Sequence, residues 1–221
     1  IYKNNLTFLG EDPSITVIDG GAIGDVVYIT GSNIYLSGFM IRNGGWCGVY
    51  IEYSSNNTLA ENTITNNWRG IYLGYSSNNT IIRNTVNDNI EYGILLWYSS
   101  DSAVYHNNFI DNTVQVYNEM SNNTWDDGYP VGGNHWSDHV CAGNPSDGSQ
   151  PYIIDENNID HYPFQDPYGW LPPLVGGICI SVDKFGLLTP YIGLASTILV
   201  ATAAIAIYVK HGKREEKKNE S

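Results

Sequence analysis

GVYIEYSSNNTLAENTITNNW (residues 48–68), GIYLGYSSNNTIIRNTVNDNI (70–90) and GILLWYSSDSAVYHNNFIDNT (93–113) are three versions of one phrase, their leading glycines 22 and then 23 residues apart. A fixed period of this size marks a solenoid, in which each repeat buries its apolar face only against its neighbours. No copy has apolar residues at helical spacing, and Asn, Ser, Thr and Gly interrupt each every few residues, which excludes a helix pair. Apolar residues alternate instead, Val49 with Ile51, Ile71 with Leu73 and Ile94 with Leu96, as in a strand buried on one face. A second short strand carries Leu59, Ile81 and Val104, and a third carries Ile64, Val86 and Phe109. Three strands and three turns per repeat predict an all-β fold, a right-handed parallel β-helix with rungs stacked about 4.8 Å apart.

The pattern extends upstream. DVVYITGSNIYLSGFMIRNGGWC (25–47) aligns with the next copy at an offset of 23, placing Ile41 over Ile64 and Asn43 over Asn66, and LTFLGEDPSITVID (6–19) reads as one more rung. About five rungs are expected over 1–125, with 118–125 closing them and 126–168 forming a cap. Asn62, Asn84 and Asn107 form one column, and Asn67, Asn89 and Asn112 another; stacked amides can bond along the column, so these are read as scaffold.

The net charge of −13 is unevenly spread. Before residue 187 there are 20 acidic against five basic side chains, a net of −15, whereas the last 12 residues carry five basic and three acidic, a net of +2. Between them LLTPYIGLASTILVATAAIAIYV (187–209) runs 23 residues without a charge, long enough to cross a bilayer core of about 30 Å as a single C-terminal transmembrane helix. Residues 169–186 become a juxtamembrane linker. The basic tail, 210–221, belongs in the cytoplasm by the positive-inside rule, which leaves the β-helix outside the cell. Four sequons, at Asn5, Asn56, Asn78 and Asn122, permit N-glycosylation there. The chain starts at Ile1 without a signal peptide, and a fragment of a longer protein is expected. A strongly acidic outer domain argues against a nucleic-acid partner. Of the three cysteines, Cys47 and Cys141 could pair if the closing segment folds back along the helix.

With these repeats in view, the chain resembles the NosD-type β-helix family, which comprises copper-binding periplasmic repeats and carbohydrate-binding and sugar-hydrolysis domains. The resemblance covers most of residues 6–165. NNTWDDGYPVGGNHWSDH (122–139) and PYIIDENNIDHYPF (151–164) are similar to the closing segment of archaeal surface-anchored members. His135 and His139 stand where those members usually have Tyr, and the stretch before PYIID is reduced to NPSDGSQ.

Aromatic columns are the strongest candidate site. Tyr53, Tyr75 and Tyr98 form one; Tyr50 and Tyr72 form another that ends at Leu95; Trp46, Trp68 and Tyr92 precede the repeat glycines, with Trp97 nearby. Strand parity turns Tyr50 outward. Exposed rings at rung spacing could stack on sugars, so polysaccharide or envelope glycans are the expected partners; equally, the rings could stack on one another as scaffold. Asp88 and Asp111 align at one corner, as a paired-acid site would require and as turn aspartates also do. His135, Asp138, His139 and Cys141 lie within seven residues and could hold a soft metal, while Asp126, Asp127, Asp155, Glu156 and Asp160 could hold a structural calcium. No cofactor is otherwise expected. The reading is a non-catalytic, surface-anchored glycan binder. Its alternatives are a polysaccharide lyase or hydrolase, an envelope spacer, and a copper-related accessory protein.

Overall fold

The repeat glycines exist because the rungs touch. A Cβ at Gly48 would lie 2.8 Å from the Gly70 carbonyl oxygen, one at Gly70 2.5 Å from that of Gly93, and one at Gly93 2.7 Å from that of Gln115. Only a residue without a side chain lets the strand enter its sheet so close to the next rung. The computed structural model describes residues 1–172. The expected span 187–209, the tail 210–221 and the linker from 173 onward lie outside the described residues.

Within 1–172 the chain forms a right-handed parallel β-solenoid of about five turns, with no helix among the described residues. The first sheet stacks β1 (Leu6–Leu9), β4 (Ile34–Ser37), β7 (Thr58–Ala60), β10 (Thr80–Ile82) and β13 (Ala103–Tyr105). The second stacks β2 (Val17–Asp19), β5 (Met40–Arg42), β8 (Thr63–Thr65), β11 (Thr85–Asn87), β14 (Asn108–Ile110) and β16 (His135–Trp136). The third stacks β3 (Val27–Ile29), β6 (Cys47–Glu52), β9 (Arg69–Gly74), β12 (Tyr92–Trp97) and β15 (Val114–Glu119). Register follows the repeat: Val49 lies on Ile71, Ile71 on Ile94, Leu59 on Ile81 and Ile64 on Val86. Each of these side chains is fully buried, which stabilises the stack by roughly 1.5–3 kcal/mol apiece.

Four hydrogen-bonded ladders line the corners between sheets. In the longest, the backbone N–H of Asn62 donates to Oδ1 of Asn84, that of Asn84 to Asn107, that of Asn107 to Asn134, and that of Asn134 to the Asp160 carboxylate. Each amide also donates back to the rung before, Asn84 to the Leu59 carbonyl at 2.8 Å and Asn107 to that of Ile81 at 2.8 Å. Asn67, Asn89 and Asn112 repeat the arrangement and end on Gln115; Ser54, Ser76, Ser99 and Ser121 form a hydroxyl version. The fourth runs Asn57, Asn79, Ser102, Asn123, Asn158. The backbone N–H of every ladder residue donates toward the C-terminal rung, so each column ends there on a donor that needs an acceptor.

The closing segment meets that end. It continues the coil before it covers it: β16 adds a sixth strand to the second sheet and Thr124 bridges to Ala103 in the first. A hairpin of β17 (Tyr152–Ile153) and β18 (Ile159–Asp160) then delivers Asn158 and Asp160 as the last acceptors of two ladders. Trp125 and Trp136 finish the core; Phe109 stacks on Trp136 at 4.6 Å and Tyr152 stacks on it at 4.2 Å. Cys47 and Cys141 do not pair: both are free and buried, Cys141 against the Pro163 carbonyl.

Candidate functional site

The outer face of the third sheet carries a five-rung column in register, Tyr28, Tyr50, Tyr72, Leu95 and Tyr117. Parity turns these residues outward, yet Tyr50 and Tyr72 are only partly exposed, because the rings stack: Tyr28 on Tyr50 at 5.3 Å, and Tyr50 on Tyr72 at 4.5 Å with 3° between planes. Glu52 accepts hydrogen bonds from the hydroxyls of both Tyr28 and Tyr50. The bond to Glu52, with burial, pushes the Tyr28 hydroxyl up to about 12, and burial followed by the same carboxylate raises that of Tyr50. Tyr117 repeats the arrangement with Glu119 at 2.8 Å.

Tyr53, Tyr75 and Tyr98 form the second column, at the corner after the sheet. Their rings are 5.1 and 5.4 Å apart and within 10° of parallel. All three adopt left-handed backbone, φ 46°, 50° and 49°, and Met120 below them does too. Trp97 packs edge-on against Tyr98. In both columns the flat faces of the inner rings are covered by their neighbours. On the inner rings what solvent meets is edges and hydroxyls, which leaves a sugar no open ring face to lie on there.

Trp46 and Trp68 are different. They occupy successive rungs at the corner before the third sheet, tied by the Arg69 N–H to the Trp46 carbonyl. They are 67% and 45% exposed, and neither stacks on another ring among the described residues. With Gly45 and Arg69 they line an open cleft of about 350 Å³. Glu91 fixes it: its carboxylate accepts from Trp68 Nε1 at 2.8 Å and from Arg69 Nε at 2.6 Å. The Arg69 guanidinium in turn sits 5.8 Å from the Tyr72 ring centre and 6.0 Å from that of Tyr92, a cation–π arrangement. Two indoles and one cation thus line one hollow, with the Glu91 carboxylate holding Trp68 and Arg69 in place. The aromatic members of this group belong to the columns expected from sequence; Arg69 and Glu91, opposite charges one rung apart, carried the missing signal.

The remaining candidates separate in space. Asp88 and Asp111 are exposed and sit at left-handed turn positions, φ 54° and 52°, in the same column as Asn43 and Asn66. This is the conformation that Asp and Asn tolerate at tight corners. His135 directs Nδ1 at the Phe164 carbonyl, and His139 directs Nε2 at that of Gln150. Asp126 binds the backbone and ring of His161, and Asp155 accepts from Asn118, Asn157 and Asn158. Asp160 is buried beneath Asn134 and Trp136. Of the acidic residues expected to clip the closing segment, Asp126, Asp155 and Asp160 accept from protein N–H groups, and no group of three or more His, Cys, Asp or Glu side chains that could hold a metal occurs among the described residues.

Residues 18–141 match the family model described as periplasmic copper-binding protein (NosD). No curated protein and no solved structure matches the chain. Copper calls for several His, Cys or Met donors on one centre. Cys47 is buried beside Asp25, and His106 spends Nε2 on the Val131 carbonyl and stacks on Trp170. The described residues do not fit a copper site.

Proposed function

The chain belongs to the NosD family, and from that premise we propose that it is a surface-anchored, extracellular β-helix that binds neutral envelope glycans without cleaving them. The observation that carries this reading is the cleft between Trp46 and Trp68. A pyranose presents an apolar C–H face that packs on indole, and its hydroxyls bond to an arginine and a carboxylate fixed beside the ring. Because Arg69 and Glu91 already pair, the cleft has no strong preference for an anionic or a cationic sugar. The uncharged stretch 187–209 and the basic residues after it support the anchor and the outward placement. The corner positions of Asp88 and Asp111 favour binding over cleavage.

The test is a pull-down on purified envelope polysaccharides, with Trp68→Ala and Tyr50→Ala beside the wild type. Trp68→Ala is expected to lose at least tenfold in affinity, about 1.4 kcal/mol, and Tyr50→Ala to keep it. Release of reducing ends or of unsaturated sugars would move a hydrolase or lyase to first place. No binding by the wild type would leave a spacer.

A further inference from the structure

The four Asn-x-Thr sequons are scattered in sequence but not in space. Leu6 pairs with Ile34, Tyr35 with Thr58, Thr58 with Thr80, Thr80 with Ala103, and Ala103 with Thr124. The residues just before these strands therefore stack as Asn5, Asn33, Asn56, Asn78, Asp101 and Asn122. All four sequon asparagines stand in this one corner column, and all are exposed. Their immediate neighbours Asn57, Asn79 and Asn123 are buried and committed to a ladder. Among the described residues Asn56, Asn78 and Asn122 make no side-chain hydrogen bond, and Asn5 only accepts one from Asn33. In a protein whose asparagines serve mainly as scaffold, the sequon amides have the free nitrogens.

A second feature lies beside the first. Tyr53 and Tyr75 precede Asn56 and Asn78 by three residues, so the exposed tyrosine column runs alongside the sequon column. Left-handed backbone costs a residue with a side chain roughly 1–2 kcal/mol. Most of the other left-handed corner positions in the repeats hold Asn or Asp, which tolerate it, but this corner holds tyrosines. Such strain persists where the side chain has a use. At the lower end the two columns share a hollow of about 540 Å³, lined by Tyr98, Met120, Asn122 and Glu156 among others.

We infer that this corner is a glycosylation edge: N-linked glycans on Asn56, Asn78 and Asn122 rest against the ledge formed by Tyr53, Tyr75, Tyr98 and Met120. The modification forms a bond between Asn Nδ2 and the anomeric carbon of a polyprenyl-phosphate-linked oligosaccharide. The bond from that carbon to the phosphate oxygen breaks, the oxygen leaves with the electron pair, and one amide proton goes to the base that accepts it. The inference rests on the extracellular placement proposed above, but not on the tryptophan cleft.

The full chain isolated from its own cells is digested and its peptides are weighed. Peptides holding Asn78 and Asn122 are expected to carry added sugar mass. The Asn122 addition should vanish in Thr124→Ala and return in Thr124→Ser, a pair that leaves Asn122 itself in place. Removal of the Asn122 glycan by endoglycosidase should run several-fold faster in Tyr98→Ala; an equal rate would overturn the ledge. Unmodified asparagines in protein that protease digests on intact cells would overturn the glycosylation edge alone. Unmodified asparagines in protein that intact cells shield would overturn it together with the placement outside the cell.

Discussion

Two sets of columns run along the solenoid at the same spacing, the amide ladders at its corners and the aromatic columns on its surface, and they differ in what their neighbours leave free. Within a ladder each Asn accepts from the rung before and donates both back and onward, so nothing remains for a ligand. Tyr50 and Tyr75 are in the same position although they face outward, because a ring covers each of their faces. Trp46 and Trp68 repeat once and keep their faces open, and Trp68 is braced from the side by Glu91 rather than from above and below. A repeated side chain is scaffold where its neighbours consume its recognition surface. It becomes a site where they do not.

The largest effect is expected inside a ladder. Asn84→Ala removes the acceptor of the Asn62 N–H and side-chain amide, the donor to the Leu59 carbonyl, and one of the two donors to Asn107 Oδ1. At about 1–3 kcal/mol per buried polar group stranded, the loss should reach roughly 3–5 kcal/mol, read as a lowered denaturation midpoint. Sugar binding by the folded fraction should be unchanged. A cost below about 1 kcal/mol would mean that water replaces the amide and that the ladder is not what holds the rungs.

The second effect depends on pH and separates the ladder's end from its middle. Asp160 is fully buried and accepts from Asn134 N at 2.7 Å and Trp136 Nε1 at 2.9 Å. A Cβ at Gly133 would fall 1.8 Å from its Oδ1, so the backbone passes directly over it. Burial outweighs these donors and pushes its carboxyl up to about 7. With the folded value above the unfolded one, the folded protein holds the extra proton. The resulting stability is complete below about pH 4 and is lost as pH rises through 7. Relative to Asp160→Asn, the wild type should lose up to about 4 kcal/mol across that window, three units at about 1.4 kcal/mol each. The difference between the two proteins cancels every other titrating group. A flat difference would show that Asp160 stays ionised in the fold. At the neighbouring ladder's end, burial also works to raise the Asp155 carboxyl, but bonds from Asn158, Asn157 and Asn118 hold it below the ordinary value. Two acids with one task thus titrate in opposite directions because their burial differs.

What sequence reveals here follows periodicity. Ile64, Val86 and Phe109 declare the core, and Asn62, Asn84 and Asn107 their ladder, because counting 22 or 23 residues finds the next rung. Counting fails in the closing segment, where the ladder steps from Asn107 to Asn134 to Asp160 are 27 and 26 residues, and that from Asn123 to Asn158 is 35. Asp160 therefore looked like a calcium ligand rather than a ladder's last acceptor. His135, His139 and Cys141 were close in sequence for the same uninformative reason: a two-residue strand followed by turns sends them to different carbonyls. Parity correctly put Tyr50 on the outer face, but parity cannot say whether a ring's own face is covered.

The third effect tests the stacked tyrosines as scaffold. Tyr75→Ala loses stacking on both sides and should cost about 1–3 kcal/mol, at roughly 0.5–1.5 kcal/mol per ring pair. Tyr75→Gly loses the same contacts but relieves the left-handed backbone at φ 50°, so it should be more stable than the Ala variant by about 1 kcal/mol. This reverses the usual order of Ala and Gly within a strand. Equal stabilities would remove the strain from the account of this corner.

The smallest structural effect is expected at Trp68, and its smallness distinguishes the cleft from the columns. The indole has no ring neighbour among the described residues and is 45% exposed, so Trp68→Ala should cost under about 1 kcal/mol, in the range of surface substitutions with little packing to lose. Arg69 keeps Glu91 and its two tyrosine rings in that variant, which leaves the charged wall of the cleft standing. A stability loss as large as that of Tyr75→Ala would make Trp68 one more scaffold ring, and the face would then hold no open site. A small loss with at least tenfold weaker glycan binding would separate the two roles on adjacent corners of one rung. The exposed face would then be what the neighbouring rungs leave to the ligand.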